Sequence, residues 1–368
     1  MKIPGFDFLV FQSVHLLHGF GRIKTVRTIE SIQPASVRSI LIVVTTALGD
    51  SITFTPALDP IRRRFPHARI VGFYHHAFAD LYADDPRFDR IIPYYGKYKR
   101  LRKTIRALRE ESCDLALLPY MNDPDVIPLI LLGGSRALFR MPGRNTIYSF
   151  CVMNSELLSS VPPPDHANRR AADMAAYLGC NIPTLESSLH LDSDAQIRMD
   201  RLLEDIRRRA KHPDEIWIGF HPGASIPQKC WPVDHFRTLA GQALEKWPNA
   251  HILLSGSAGE WDLCENIRTV SRDGRITNLA GDISIHDMPA LLKRLAVLVS
   301  GDTGIAVMAY AVACRTVTLF WSTDPARSGP GIAGDIHRVV AGQSADSIWP
   351  DRIMAEIAEQ IQAAAETD

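Results

Sequence analysis

Cysteine is scarce in this chain, and no two cysteines lie close together. There are six in 368 residues, and the nearest pair, Cys151 and Cys180, is 29 positions apart. Such spacing excludes the close ligand pairs of a structural zinc site and gives no sign of a disulfide framework, so a reducing compartment is expected. Net charge is missing as well, with 41 Lys plus Arg against 41 Asp plus Glu. Zero balance speaks against a general nucleic-acid binder, which carries a net basic surface. No apolar run reaches the ~20 residues of a membrane span. The charge-free stretch Phe8–Gly21 holds 14 residues and is interrupted by Gln12, Ser13, His15 and His18. It has neither the charged leading region nor the small-residue cleavage site of a secretory signal. The glycine fingerprint G-x-G-x-x-G does not follow the first strand, which disfavours a nicotinamide dehydrogenase.

What is present has the texture of a soluble α/β protein. The composition, 46% hydrophobic and 22% charged, is that of an ordinary globular chain. Residues 39–45, SILIVVT, form a continuous apolar, β-branched run. A strand of this kind belongs in a parallel sheet covered on both faces. Further strand-like runs lie at 68–73, 90–93, 114–118 and 136–139, with helical patterns between several of them. The texture restarts with strands expected at 215–220, 251–255, 296–300 and 316–320, and helices at 233–246, 260–270, 285–294 and 304–313. Alternation of strand and helix means βαβ units. Two α/β halves of similar size are therefore expected. An extension over 1–38 precedes an N-terminal domain, 39–190. A C-terminal domain, 191–345, leads to a closing helix, 346–368.

Several segments join a strand end to a helix start, the place where open α/β sheets bind ligands. In ALGDSITFTP, residues 47–56, Gly49 permits a tight turn, and Asp50 is placed either to accept a proton from a hydroxyl or to cap the helix. In FHPGASIPQKCWP, residues 220–232, the backbone at Ala224 and Ser225 and the cation of Lys229 suit a phosphate. In SGSAGE, residues 255–260, Gly256 turns the chain, and Glu260 either meets ribose hydroxyls or stabilises a first helical turn. In SGDTG, residues 300–304, the helix start at Thr303 and Gly304 offers N–H groups to a diphosphate. Asp302 in that loop repels phosphate and is expected to orient the loop or bond a sugar. His75-His76 and Asp84-Asp85 have no third ligand at recognisable spacing, so no metal is expected.

Two features concern surfaces. Residues 97–109 hold Lys97, Lys99, Arg100, Arg102, Lys103, Arg106 and Arg109 with no acid among them. Such a cluster is either a solvated helix face or an attractor for a phosphorylated glycolipid or a bilayer. Residues 1–38 carry five Lys/Arg against two Asp/Glu, a net of +3. Their apolar stretch is expected either to fold onto the protein or to lie on an anionic membrane surface.

Taken together, the segments resemble glycosyltransferase family 9, the ADP-heptose:lipopolysaccharide heptosyltransferases. The matches run in the family's order: ALGDSITFTPAL (47–58), RRRFPHARI (62–70), DHANRRAADMAAYLG (165–179), FHPGAS with KCWP (220–232), LLSGSAGE (253–260), NLAGDISIHDMPALL (278–292), SGDTG (300–304) and Gly329-Pro330. The resemblance covers about residues 39–335 and leaves out the extension. It implies the GT-B fold, two Rossmann-like parallel-sheet domains facing a central cleft, with the closing helix packed back on the N-terminal domain. It implies inversion at the anomeric centre with no metal or other cofactor required. By similarity, Asp50 is the general base and Lys229 lies at the donor phosphates. Glu260 contacts the nucleotide ribose, and Asp302, Thr303 and Gly304 form the donor loop. Arg62–Arg64 or the cations of 97–109 would hold acceptor phosphates. Where the family commonly reads DTGxxH, this chain has Val307, which cannot donate a hydrogen bond.

The implied function is transfer of a sugar, foremost heptose from ADP-heptose, to lipopolysaccharide core or a related phosphorylated glycolipid. The implied place is the cytoplasm, with peripheral contact at the inner face of the inner membrane. Two alternatives stay open: a nucleotide-sugar-binding protein without turnover, motivated by Val307, and a nucleotide-sugar epimerase, which can share this architecture.

Overall fold

The computed structural model describes residues 5–20, 33–120, 125–141, 148–152, 166–210, 216–330 and 336–366. The prolines at 162–164 and the basic residues between 21 and 32 lie outside these. The chain divides into two compact units, Met1–Leu185 and Glu186–Asp368. The division falls a few residues before the boundary expected at 190/191.

The N-terminal unit holds a five-stranded parallel sheet of β1 (Ser39–Val44), β2 (Arg69–His75), β3 (Arg90–Tyr94), β4 (Leu115–Leu118) and β5 (Ala137–Arg140). The spatial order is β3-β2-β1-β4-β5. In the register, Ile40 of β1 sits opposite Ile70 on one side and Leu115 on the other. Every residue of β1 is buried, because the central strand has neighbours on both edges and helices on both faces. The chain runs from β1 outward to β3, then returns to the other side of β1 with β4. That reversal is the topological switch point, and the loops after β1 and β4 border it.

One face of this sheet is covered by α1 (Gly5–Gly19), α4 (Leu101–Glu111) and α5 (Val126–Leu132). Val14, Leu108, Ile127 and Ile130 share a core with Leu41, Val43, Phe73 and Leu118. Short helices α2 (Leu48–Thr53) and α3 (Leu58–Arg64) connect β1 to β2, and α6 (Ala167–Tyr177) packs against α2 and the 3-10 turn Thr55–Ala57 between them. The extension therefore contributes a helix to the body of this unit. Phe11 meets the rings of Tyr148 and Phe150 at 5.6 and 5.9 Å, and the Asp7 carboxylate accepts from Lys97 Nζ and Tyr98 Oη, both at 2.6 Å.

The C-terminal unit opens with α7 (Ser193–Ala210) and holds a six-stranded parallel sheet. Its strands are β6 (Ile216–His221), β7 (Ala250–Leu254), β8 (Ile276–Asn278), β9 (Val297–Gly301), β10 (Thr316–Phe320) and β11 (His337–Ala341). The order is β11-β10-β9-β6-β7-β8. Ile218 of β6 pairs with Ile252 of β7 and Val297 of β9, so the switch point here lies between β6 and β9. Connections include α8 (Val233–Lys246), α9 (Trp261–Arg268), α10 (Met288–Leu292), α11 (Gly304–Ala311) and α12 (Pro325–Ser328).

In the closing helix, α13 (Pro350–Ala365), Ile353, Met354 and Ile357 lie in the core of the C-terminal unit with Leu239, Ala243 and Val317. Arg315, just before β10, reinforces this placement by donating to Gln360 Oε1 at 3.2 Å and Ala363 O at 3.2 Å. The apolar stripe at Ile353 and Ile357, one turn apart, is what selects that face.

Candidate functional site

In the N-terminal unit the site builds up around the loop that leaves β1. Asp50 is the third residue of α2, whose N-cap is Ala47 with no side-chain cap. Its carboxylate does not cap the helix. Oδ2 accepts instead from Thr46 Oγ1 at 2.5 Å. Asp50 is half-buried, and burial raises its pKa above the ordinary aspartate value, against the opposing pull of the Thr46 hydroxyl and the Arg170 guanidinium. A carboxylate made more basic this way suits proton abstraction near neutral pH.

The neighbours of Asp50 are fixed from the segments after β2 and β4 and from α6. Tyr120, after β4, shares a 2.6 Å hydrogen bond with Thr53 Oγ1. Tyr82 donates to Ser51 Oγ at 2.8 Å. Arg170 of α6 donates to Pro119 O at 3.2 Å and holds its guanidinium 5.7 Å from the Tyr120 ring. Gly49, just before Asp50, is half-buried in the first turn of α2. Thr46, Tyr120 and Arg170 were not singled out from sequence. Arg170 sits inside the matched stretch 165–179, so a signal for it was present.

In the C-terminal unit the loops after β6 and β9 meet at the switch point. The loop after β6 closes into a 3-10 turn, Pro227–Lys229. Lys229 Nζ lies 2.9 Å from Asp302 Oδ2 and 3.4 Å from Asp302 O. The same Oδ2 accepts from Thr323 Oγ1 at 2.7 Å. Trp321 Nε1 donates to Gln228 O at 2.9 Å, which ties the loop after β10 to the loop after β6. A Cβ on Gly301 would stand 3.1 Å from Lys229 O, so the glycine permits the loops to approach. Asp302 thus orients the loop, and its charge is met by Lys229.

Thr303 is the N-cap of α11, its hydroxyl accepting from Ala306 N at 3.3 Å and lying 3.0 Å from Ser300 Oγ. The N–H groups of Gly304 and Ile305, in the first turn, have no carbonyl one turn back within the helix. They form the positive end of the helix dipole. Val307 is half-buried one turn further on.

Glu260 stabilises the start of the helical segment that follows it. Its Oε2 accepts from Ser257 N at 2.6 Å and Ser257 Oγ at 2.8 Å, a capping box. The other oxygen, Oε1, lies against Gly223: a Cβ built there would stand only 1.8 Å away. Gly256 is similarly close, a Cβ there standing 3.3 Å from Oε2. The glycines of FHPGAS and SGSAGE therefore make room for this carboxylate. Buried His221, whose Nδ1 lies 3.1 Å from both Ser255 O and Oγ, ties the same two loops together. Ala224 is half-buried and Ser225 exposed in the adjoining loop.

Other sequence candidates fall elsewhere. Asp85 is engaged by Arg87, with the Arg87 Nη2–Asp85 Oδ2 distance at 2.7 Å. His75 and His76 stack 4.6 Å apart. No cluster of three or more His, Cys, Asp and Glu placed to hold a metal occurs among the described residues. Arg62 donates to Ala68 O, Arg87 O and the Asp89 carboxylate, so it ties α3 to the sheet edge.

Comparison with known proteins agrees with this layout. Residues 136–346, more than half of the chain, match the profile of Glycosyltransferase family 9 (heptosyltransferase). Lipooligosaccharide heptosyltransferase 2 of Haemophilus influenzae is 27% identical over 168 residues, 44% of this chain and 47% of that protein. The chain thus spans about half the length of that curated relative. Among solved structures, a family 9 glycosyl transferase from Veillonella parvula superposes with a TM-score of 0.74 at 14% identity, covering 90% of this chain and 99% of that one. The Escherichia coli ADP-heptose lipopolysaccharide heptosyltransferase II gives 0.70 at 22% identity, covering 89% and 99%. The two parallel-sheet units are those of the GT-B fold class. The chain belongs to glycosyltransferase family 9.

Proposed function

We propose that this protein is an inverting glycosyltransferase that moves a sugar from a nucleotide diphosphate donor, foremost ADP-heptose, to a hydroxyl of lipopolysaccharide core or a related phosphorylated glycolipid. The observation that carries the proposal is Asp50, a half-buried carboxylate with a raised pKa at the switch point of the first sheet. Asp50 takes the acceptor hydroxyl proton as the oxygen attacks the anomeric carbon. Thr46 aims the carboxylate. The bond to the leaving diphosphate breaks in the same displacement. Lys229 and the N-terminus of α11 stabilise the charge that develops on that diphosphate. Glu260 Oε1 is placed to accept from ribose hydroxyls. ADP-heptose is preferred because the E. coli relative that shares the fold is named for it. A phosphorylated glycolipid acceptor puts the work at a membrane surface, the cytoplasmic face of the inner membrane.

The test is transfer from ADP-heptose to a deacylated lipopolysaccharide core, followed by mass spectrometry and ADP release. Asp50→Asn is expected to lose about 10²–10⁴-fold in turnover, the usual contribution of a positioned base. It should keep donor binding. Full turnover in that variant would overturn the base assignment. A second reading, donor binding without transfer, draws on Val307, an apolar side chain half-buried in the donor helix. It requires nucleotide-sugar binding with neither transfer nor donor hydrolysis in the wild type.

A further inference from the structure

The helix α1 is apolar on two faces, and only one of them is covered. Asp7 and Val14 are buried, and Phe11 and His18 contact Phe150. Opposite them Phe8, Leu9, Leu16 and Leu17 fall within about half of the circumference at 3.6 residues per turn. All four are exposed, Leu9 at 62%, and Phe20, just past the helix, is exposed at 78%. Gln12, Ser13 and His15 interrupt this outer side, and the apolar side chains among them are left uncovered.

The charge around this face is mainly positive, with Arg106 paired to the exposed Glu110 at 3.2 Å. Helices α1, α4 and α5 cover the same face of the first sheet, so their outer sides turn the same way. On α4, Arg102, Lys103, Arg106 and Arg109 are exposed. An open groove of about 690 Å³ on this helix is lined by Arg102, Ile105, Arg106, Arg109 and Glu110. Arg109 Nε donates to Leu132 O, at the end of α5, where the Leu132 side chain is itself exposed. The one acid of α1, Asp7, is buried and paired with Lys97, leaving no carboxylate on the apolar side. In the sequence, Arg22, Lys24 and Arg27 follow the helix directly. The protein as a whole has no net charge, so this excess is local.

We propose that the outer face of α1 and the cations of α4 together form a docking surface for an anionic bilayer, with the apolar side chains entering the headgroup boundary and the cations meeting lipid phosphates. An apolar patch alone would equally suit a second copy of the chain. In a symmetric pair, however, each cationic patch would be brought up to its own equivalent. An anionic membrane satisfies both features at once. The helix is too short to span, and no helix of the described residues is long and apolar enough to cross a membrane. The inference rests on the membrane-surface part of the proposed function and is independent of the donor and of the base.

The test is sedimentation of the full chain with vesicles of phosphatidylcholine alone, or with added phosphatidylglycerol. Binding is expected only to the anionic vesicles. It should weaken between about 0.1 M and 1 M salt, where the Debye length shrinks about threefold. Leu16→Glu/Phe20→Glu should lower partitioning by about tenfold or more, as should Arg102→Glu/Lys103→Glu, with unchanged thermal midpoints. The Leu16→Glu/Phe20→Glu variant should retain turnover on a deacylated, soluble acceptor. Failure to bind anionic vesicles, or equal binding by wild type and both variants, would overturn the proposal. A wild-type dimer that Leu16→Glu/Phe20→Glu converts to monomer, without vesicle binding, would name a second copy as the occupant and overturn it too. Should Leu16→Glu/Phe20→Glu prove unstable, the α4 variant decides alone. Because no donor or acceptor is present, a negative vesicle result leaves the transfer reaction standing.

Discussion

Lys229 Nζ sits 2.9 Å from Asp302 Oδ2, and the two residues come from the loops that border the switch point of the second sheet. The pair is largely sheltered, with side-chain exposures of 25% and 14%. Asp302 supplies the fixed point, since Thr323 also donates to it. The lysine is thereby held beside the N-terminus of α11, with its charge available to a second anion.

This division of roles separates two variants. Lys229→Ala removes the cation and leaves Asp302 to repel a diphosphate. Turnover should fall by about 10²–10³-fold, the scale found for removing one group that stabilises transition-state charge. Affinity for ADP should fall as well. Asp302→Asn removes a repelling charge while loosening the lysine, so ADP affinity should hold or rise even as turnover drops. Calorimetric titration of both variants with ADP checks this. Equal losses of ADP affinity would mean that the ion pair acts only as a structural clasp.

Asp50 carries a cost to stability that follows from its raised pKa. A carboxyl that ionises less readily in the folded state than in the unfolded one penalises folding once the pH exceeds the unfolded value. The penalty grows until the folded pKa is passed and is absent in acid. Asp50→Asn should therefore be more stable than wild type at pH 7–8, with the difference vanishing as the pH falls below the ordinary aspartate value of 3.8. Thermal midpoints of the two proteins across that range measure it. A variant less stable than wild type at neutral pH would show that the Thr46 hydrogen bond outweighs burial.

The fold was legible where burial made the sequence monotonous. The central strands β1, β6, β9 and β10 are covered on both faces, and their apolar runs announce them. The edge strands β8 and β11 were missed because an edge needs less burial. In β11 only Val340 is buried, and His337 and Arg338 open the strand. Helix α7 was missed in a stretch dense with charge. Its core residues Ala195, Met199, Leu203 and Ile206 recur once per turn, a spacing that was there to be read. At the site, Asp50, Lys229, Glu260 and Asp302 stood out as charged residues beside strand ends. Thr46, Tyr120, Arg170 and Thr323 did not, because each reaches its partner through the fold. The apolar stripe of α13 specifies that the helix packs and leaves open against which unit.

Gly223 provides a test of the proposed ribose contact of Glu260 without changing Glu260 itself. In Gly223→Ala the new methyl would overlap Glu260 Oε1, which must swing away and break its capping box with Ser257. Losing such a cap costs about 1 kcal/mol. Donor affinity should fall at the same time. Adding Glu260→Ala removes the clash, so the second substitution should cost less stability in the Gly223→Ala background than in wild type. That non-additivity is the signature of direct contact. Additive effects in a thermal-denaturation cycle would place the two residues apart.

His337 sets a limit on acid tolerance that is separate from the site. Its ring lies 4.8 Å from that of Tyr310, its Nδ1 is 3.1 Å from Thr316 Oγ1, and burial pushes its pKa down to about 4 from 6.5. The unfolded chain takes up this proton at a higher pH than the folded protein does. Stability is therefore full above pH 6.5, declines as the pH falls from 6.5 toward 4, and levels off below. His337→Gln keeps a hydrogen-bonding group without the titration. Urea denaturation should find wild type losing about 1–3 kcal/mol relative to that variant between pH 7 and pH 4, after allowance for the ring's partial exposure. The two proteins should have parallel pH profiles above 6.5. Parallel profiles throughout would mean that the His337 ring accepts its proton in the folded state without penalty.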